Sequence, residues 1–289
     1  MRRLAVISNP GSGCRRDRAR SLSTMLELLR QHGISVDAYE TAGPGDATRL
    51  SREALEAGAQ TIVVHGGDGT VNEAMQPLVG GPIPLAVWPG GTANVLAREL
   101  GLPRDLERVA DMIAAGRARR VSVGRAGARY FLLMAGVGLD AALVRAVSPR
   151  LKRLTGQGAY WVAGLRQFVD WRPRRFLAEV EERQYGATLA VIANAASYGG
   201  GLRFAPGARM DSEVLDLCLF DWRGRFRFLR HLRAGFSGAH LGLPGVTYLQ
   251  ARRITARGDQ TWVQVDGELL GRLPMTFECV PAALSLIVP

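Results

Sequence analysis

The chain has 289 residues, of which 47% are hydrophobic and 22% charged, so a disordered chain is excluded and two domains are expected. Its three cysteines form no CxxC pair, its four histidines have no zinc spacing, and no apolar run approaches the roughly 20 residues of a membrane span. The net charge of +11 favours anionic partners such as a nucleotide or an acidic membrane surface.

The first part of the chain alternates between apolar runs and segments with helical periodicity. Strands are predicted at 4–10, 34–41 and 61–69, and helices at 21–33, 46–58, from 70 onward and at 104–116. Residues 83–102 repeat the order of strand, glycine turn and helix. This alternation predicts an N-terminal α/β domain over residues 1–120, with a doubly wound, Rossmann-like parallel sheet.

The remainder is rich in short strands and has few crossover helices. A hairpin turning at Gly127 is followed by a basic helical stretch at 145–170. Further strands are predicted at 176–183, 188–194, 214–220, 252–257, 261–266 and 275–280. The pattern predicts an antiparallel, β-sandwich-like domain over residues 121–283, with a last strand at 284–289 that returns to the first domain.

Three glycine-rich turns follow strands of the predicted parallel sheet, at 10–13, 66–69 and 89–91. Ligands bind at the carboxyl ends of such strands, where bare backbone and helix N-termini form anion sites. The three turns together therefore predict a phosphate site.

Asp68 lies in the second turn, and a carboxylate repels phosphate unless a metal or a hydroxyl faces it. Its expected role is Mg²⁺ contact or positioning of an attacking hydroxyl. The alternative is a plain turn in which Thr70 caps the following helix.

Two common kinds of nucleotide site are excluded. Lys152 is the only lysine and follows no glycine-rich loop, so the P-loop and the protein-kinase signatures are both missing. The G-x-G-x-x-G fingerprint is absent from all three turns, which argues against NAD or FAD as a redox cofactor.

The motifs NPGSG (9–13), GGDGTVNE (66–73) and PGGTANVLARELG (89–101), in this order and spacing, resemble the diacylglycerol kinase catalytic-domain family. GVGLDAAL (136–143), NAASYGGGLRFAPGARMD (194–211) and VDGELLG (265–271) are similar to later segments of that family. The resemblance spans most of the chain, and it implies the two-domain fold shared by NAD kinases and diacylglycerol kinases.

The resemblance also implies site residues. The positions that match the family's ATP site are Asn9, Pro10, Gly11, Ser12, Gly13, Thr41, Gly66, Gly67, Gly69, Thr70, Val71, Asn72, Glu73 and Thr92. Glu268 matches the general base, and Asp140 falls in an aspartate–water–magnesium network. Ser212 stands where the family has a metal-binding aspartate, so either Asp211 or Glu213 substitutes for it, or that structural ion is absent.

Other features leave alternatives open. A carboxylate such as Glu268 can activate an alcohol, yet Asp-Gly-Glu in a hairpin is more often a plain solvent turn. The basic, aromatic stretch at 151–175 favours a core helix with a solvated basic edge. For the similar stretch at 221–238, contact with an anionic bilayer is an equal alternative.

Together these features predict a cytoplasmic, ATP-dependent lipid kinase that uses Mg²⁺ and touches an anionic membrane surface peripherally. Its acceptor would be a membrane lipid with a primary hydroxyl, entering between the domains. A homodimer is compatible with this expectation, and nucleic acid is not an expected partner. The alternatives are a kinase of a soluble substrate, as in NAD kinases, and a non-catalytic lipid or nucleotide sensor.

Overall fold

The chain divides into two compact units. A computed structural model describes residues 2–13, 18–138, 141, 174–197, 202–222, 230, 231 and 233–289. Unit 1 comprises Met1–Val121 together with Ala282–Pro289, and unit 2 comprises Ser122–Pro281. The C-terminal residues thus belong to the first unit.

Unit 1 is an α/β unit with a parallel sheet. Its strands are β1 (Arg3–Ser8), β2 (Ser35–Glu40), β3 (Thr61–Gly66) and β4 (Leu85–Pro89). Its helices are α1 (Arg18–Gln31), α2 (Asp46–Glu56), α3 (Asp68–Met75), α4 (Val95–Glu99) and α5 (Leu106–Ala115). The strands lie in the order β2-β1-β3-β4, all parallel. The predicted α/β class is confirmed.

Local sequence explains these elements. Every residue of β3 is buried, as expected for an apolar strand covered on both faces of a parallel sheet. Helix α2 buries a stripe with helical spacing, which consists of Ala47, Leu50, Ser51 and Ala54. Helix α5 begins where the Asp105 side chain accepts the Arg108 N–H, and it ends at Gly116 with a left-handed φ of 65°.

Unit 2 is built from antiparallel strands in two sheets. The strands are β5 (Ala118–Ala126), β6 (Arg129–Phe131), β7 (Met134–Gly138), β8 (Phe176–Val180), β9 (Arg183–Ala187), β10 (Leu189–Ala193), β11 (Leu215–Phe220), β12 (Val246–Ala251), β13 (Arg253–Arg257), β14 (Trp262–Val265), β15 (Glu268–Arg272) and β16 (Met275–Ile287). One sheet contains β16-β13-β8-β9, and β5 pairs with both β16 and β6. The other has the order β12-β11-β10-β7-β14-β15.

The core of unit 2 lies between these sheets. It takes alternate residues of strands from both, including Phe131, Val137, Phe176, Ile192, Leu217, Ile254, Val263 and Phe277. Two facing sheets with a shared apolar core confirm the predicted sandwich-like second half.

Two details differ from the sequence-based prediction. The segments predicted at 275–280 and 284–289 form one continuous strand, β16, whose end pairs in parallel with β4 through Leu286 and Leu85. Strands β12 and β15 lie outside the predicted strand ranges, and β9 overlaps one of them only at Arg183, because the residues of these strands are mostly half-buried or exposed and show no clear alternation. The basic stretch at 145–170 lies outside the described residues. In the described part of the chain, every helix is too short or too polar to cross a bilayer.

Candidate functional site

Three loops meet at the carboxyl ends of neighbouring strands in unit 1. They follow β1, β3 and β4, which lie side by side. The backbone N–H of Asn9 donates to the carbonyl of His65, and that of Gly90 donates to the carbonyl of Gly66, each at 2.9 Å. The Ser12 hydroxyl donates to the Gly90 carbonyl at 3.2 Å. The first and third loops are therefore both attached to the second.

The close packing of these loops requires glycine at two positions. A Cβ on Gly66 would lie 2.7 Å from the Cβ of Thr70, and a Cβ on Gly91 would lie 2.5 Å from the Cα of Gly67. Both distances are shorter than real Cβ contacts. A larger residue at position 91 would push the second and third loops apart, and one at position 66 would displace the Thr70 side chain. Both glycines are therefore required for close packing rather than for an unusual φ.

The N-terminus of α3 lies within this group of loops. Gly67 is its N-cap and, among the described residues, no side chain caps the first N–H groups. The amide of Asn9 donates to the Thr70 hydroxyl at 2.9 Å, while the Asn9 Oδ1 atom accepts the Gly11 N–H at 2.9 Å. A helix N-terminus beside a fixed hydroxyl and bare glycine backbone is chemically suited to bind an anion.

Asp68 contacts backbone rather than another side chain. Its Oδ2 atom accepts the Val95 N–H at 3.1 Å, and its Oδ1 atom accepts the Leu96 N–H at 3.0 Å. Both belong to the first turn of α4. The carboxylate therefore joins the second loop to the helix that follows the third. Sequence reasoning assigned Asp68 to metal or hydroxyl contact and missed this structural role.

The other positions predicted to bind the nucleotide differ in burial. Pro10, Gly11, Gly13 and Thr92 are exposed, Gly69 and Glu73 are half-buried, and Thr41, Val71 and Asn72 are buried. The Asn72 Oδ1 atom accepts the Gln76 side-chain amide at 3.2 Å, and the Glu73 carboxylate accepts the Ala47 N–H at 3.3 Å. These contacts support neighbouring helices, and direct nucleotide contact by Asn72 or Glu73 stays a prediction.

The loop after β2 is shaped by its own carboxylate. The Asp46 Oδ2 atom accepts the N–H groups of Ala42 and Gly43, at 2.7 and 3.1 Å. The Ala42 N–H is the main cause that lowers the pKa of Asp46, and an ion pair with Arg49 adds to it. The loop that follows Thr41 is therefore fixed by an ionised side chain at the start of α2.

Glu268 lies in unit 2 at the first residue of β15. Its side chain is 46% exposed, and one of its oxygens lies 3.6 Å from the Arg129 guanidinium. The preceding Gly267 has a left-handed φ of 86°, and its N–H donates to the Gln264 side chain at 2.7 Å. The turn thus presents Glu268 to solvent from a fixed backbone.

Asp266, two residues before, anchors this turn. It accepts the N–H groups of Leu132, Leu133 and Met134 at 2.8–2.9 Å. Its own N–H donates to the Met134 carbonyl at 2.9 Å. Sequence reasoning placed Asp266 within a motif without giving it a role, because its partners lie more than 130 residues away in the chain.

The predicted structural metal site does not assemble from Asp211, Ser212 and Glu213. Asp211 pairs through both oxygens with Arg209, at 3.0 Å each, and Glu213 pairs with Arg252. The Ser212 hydroxyl accepts the Val214 N–H at 3.2 Å. Mg²⁺ is usually held by one or two carboxylates together with water. Both carboxylates here are paired with guanidinium groups, so this arrangement does not fit a Mg²⁺ ion.

The other residue of the predicted metal network is Asp140, which lies outside the described residues. Within the described ranges, no group of three or more His, Cys, Asp or Glu side chains is placed to hold a metal ion. A magnesium contact by Asp140 therefore stays a prediction.

Comparison with known proteins gave matches over both halves of the chain. A family model described as the diacylglycerol kinase catalytic domain matches residues 3–126. A second, described as the YegS C-terminal NAD kinase beta sandwich-like domain, matches residues 134–288.

Full-length relatives agree with this result. A diacylglycerol kinase of Bacillus subtilis is 30% identical and covers 100% of this chain and 97% of its own length. One of Mycobacterium tuberculosis is 31% identical, with 99% and 95% covered. A crystal structure of a diacylglycerol kinase from Bacillus anthracis has a TM-score of 0.81 at 24% identity, covers 99% and 97% of the two chains, and shows the same fold.

Proposed function

Because this chain belongs to the diacylglycerol kinase family, and is therefore a kinase, we propose that it transfers the γ-phosphoryl group of ATP to the primary hydroxyl of a membrane lipid such as diacylglycerol. The curated relatives support the acceptor class, since they are named diacylglycerol kinase and match along the whole chain. The enzyme would act in the cytoplasm, peripherally at a membrane.

The site where the three loops meet supports the proposal that ATP is the phosphoryl donor. ATP supplies the phosphoryl group, and its phosphates would lie on the uncapped N-terminus of α3. The Thr70 hydroxyl, held by Asn9, would add a donor at a fixed position. Gly67 and Gly91 allow the second and third loops to lie against each other beside this N-terminus.

Asp68 acts in this proposal as a positioning residue. By holding the N–H groups of Val95 and Leu96, it sets where α4 begins behind the third loop. Mg²⁺ enters the proposal only as the ion that accompanies ATP, because the described side chains do not fit a separate site.

Glu268 is proposed as the general base. A primary alcohol is a weak nucleophile at neutral pH, and a carboxylate that accepts its proton raises the rate of transfer by about 10²–10⁴-fold. The half-exposed side chain, on a turn fixed by Asp266, is accessible to a substrate hydroxyl.

The test is phosphate transfer from radiolabelled ATP to lipid in mixed detergent micelles. We expect labelled product with diacylglycerol, and we expect Glu268→Gln to reduce turnover by at least about 10²-fold while ATP binding stays unchanged. Glu213→Gln is the matched control, since Glu213 is also an exposed carboxylate paired with an arginine. It should retain full turnover.

Three other outcomes would contradict the proposal. Phosphorylation of NAD without any need for micelles would favour a soluble-substrate kinase. ATP binding without transfer across a panel of lipids would favour a sensor. Full activity of Glu268→Gln would remove that residue from its proposed role.

A further inference from the structure

The segment from Arg230 to Leu243 in unit 2 presents apolar side chains to solvent. Phe236 is 45% exposed and Leu241 is 36% exposed. The described large hydrophobic residues that are this exposed are Leu177, Phe236, Leu241 and Leu269. Two of these four lie within one short segment, which is unusual for a surface that only faces water.

Buried side chains anchor this segment to the core of unit 2. His231 and His240 are both buried, and their rings contact the ring of Phe220 at centroid distances of 6.1 and 5.8 Å. Phe236 lies between these two histidines in the chain. A Cβ on Gly235 would come within 2.9 Å of the Phe204 ring, so the backbone beside Phe236 is packed directly on the core.

Two further hydrogen bonds fix the same segment. The Arg203 N–H donates to the Gly235 carbonyl at 2.8 Å. The His240 Nε2 atom lies 3.0 Å from the Phe204 carbonyl. The backbone that carries the exposed Phe236 ring is therefore already ordered. Little further conformational entropy is lost when this ring binds a partner.

The charges on this face have one sign. Arg203, Arg230 and Arg233 are exposed. The stretch from Arg230 to Leu243 contains no Asp or Glu. Arginines beside exposed Phe and Leu are the composition of a surface that inserts apolar groups at the interface of an anionic bilayer.

We infer that the face formed by Arg203, Arg230, Arg233, Phe236 and Leu241 is the membrane-docking surface of this protein and binds anionic phospholipid. The inference deepens the proposed function and rests on it, because a lipid kinase must meet its acceptor at a bilayer. A second copy of the chain fits this face less well, since a two-fold contact would bring arginines against arginines.

The test is binding of the intact protein to vesicles without ATP and without any acceptor lipid. We expect binding to vesicles of phosphatidylcholine with phosphatidylglycerol, loss of binding to pure phosphatidylcholine, and weakening at high salt. Arg230→Gln with Arg233→Gln should weaken binding by about fivefold per arginine. Phe236→Ser with Leu241→Ser should weaken it on the same vesicles.

The matched control is Leu177→Ser with Arg257→Gln. Leu177 is 48% exposed and lies opposite Arg257 on the neighbouring strand, so this pair has similar chemistry at another place. It should bind vesicles like the wild type. An unchanged unfolding midpoint shows that a weakened variant is still folded.

Three results would overturn the inference: equal loss in the control pair, wild-type vesicle binding in the Arg and Phe variants, or tighter binding to a DNA duplex that the same variants abolish. Vesicle binding is read without catalysis. Failure of the proposed kinase activity, measured in detergent micelles, is therefore seen separately. The docking variants should retain transfer in neutral detergent micelles, where no anionic surface is present.

Discussion

The carboxylate of Asp68 accepts the backbone N–H of Leu96 at 3.0 Å, across 28 positions of the chain. With the Val95 N–H on its other oxygen, it supplies the acceptors that the first turn of α4 needs. The aspartate of the second glycine loop thus fixes the position of the third loop.

Asp68→Ala should loosen this attachment. The loss of a side chain that caps a helix costs about 1–2 kcal/mol, which should appear as a lower free energy of unfolding in urea. We also expect the Kd for ATP to rise by about tenfold, equal to roughly 1.4 kcal/mol, since the third loop loses its position. Calorimetric titration with ATP measures the second effect.

Asp105→Ala is the control for that prediction. Asp105 caps α5 by accepting the Arg108 N–H at 3.1 Å. Its loss should reduce stability by a similar amount and leave ATP binding unchanged. If both variants weaken ATP binding equally, the effect of Asp68 comes from general stability rather than from loop position.

Gly91→Ala should separate the second and third loops. The added methyl group would lie 2.5 Å from the Cα of Gly67, and backbone at that distance must move. Overpacking of this kind costs about 1–3 kcal/mol. We expect ATP binding to fall while the circular dichroism of the rest of the chain is retained.

Gly43→Ala gives the comparison in the same unit. A methyl group added to Gly43 would meet no heavy atom within 4 Å, and the residue has no left-handed φ, so an alanine is tolerated there. Normal ATP binding by Gly91→Ala would contradict the close approach of the loops.

Chelation should leave the stability of the nucleotide-free protein unchanged. Asp211 forms an ion pair with Arg209, and Glu213 forms one with Arg252, so both carboxylates already have a cationic partner. An ion bound at a concentration about a hundred times its Kd would stabilise the fold by about 2.7 kcal/mol. We therefore expect equal unfolding midpoints in EDTA and in magnesium. A clear rise with magnesium would show that an ion binds despite these pairs.

Stability should fall on the acid side because of His240. Burial lowers the pKa of this imidazole, and the nearby His231 lowers it further. The unfolded chain then binds the proton more readily, so stability is full above the usual histidine pKa of about 6.5 and is lost as pH falls below it. His240→Gln should flatten this pH profile of unfolding.

The parts of the fold that sequence predicted are those governed by local pattern. Buried strands and helical stripes follow from the spacing of apolar residues, as in β3 and α2. The convergence of the three loops follows from parallel topology, because neighbouring strands of such a sheet end at the same edge.

What sequence did not predict depends on distant partners. The residue type of Asp68 suits a metal or hydroxyl ligand, and nothing near it in the chain marks Val95 and Leu96 as its partners. Asp266 is a similar case, with three N–H partners more than 130 residues away. Arg252, which forms an ion pair with Glu213, is likewise distant from it in the chain.

The end of β16 completes the sheet of unit 1 with residues that follow the whole of unit 2. A ribosome therefore delivers the last strand of the first unit only after the second unit has emerged. Until then β4 has an open edge, which is a site for wrong pairing between chains. A stop codon just before Ala282 would remove little mass but would leave that edge permanently bare, and aggregation rather than partial activity is the expected fate of such a product.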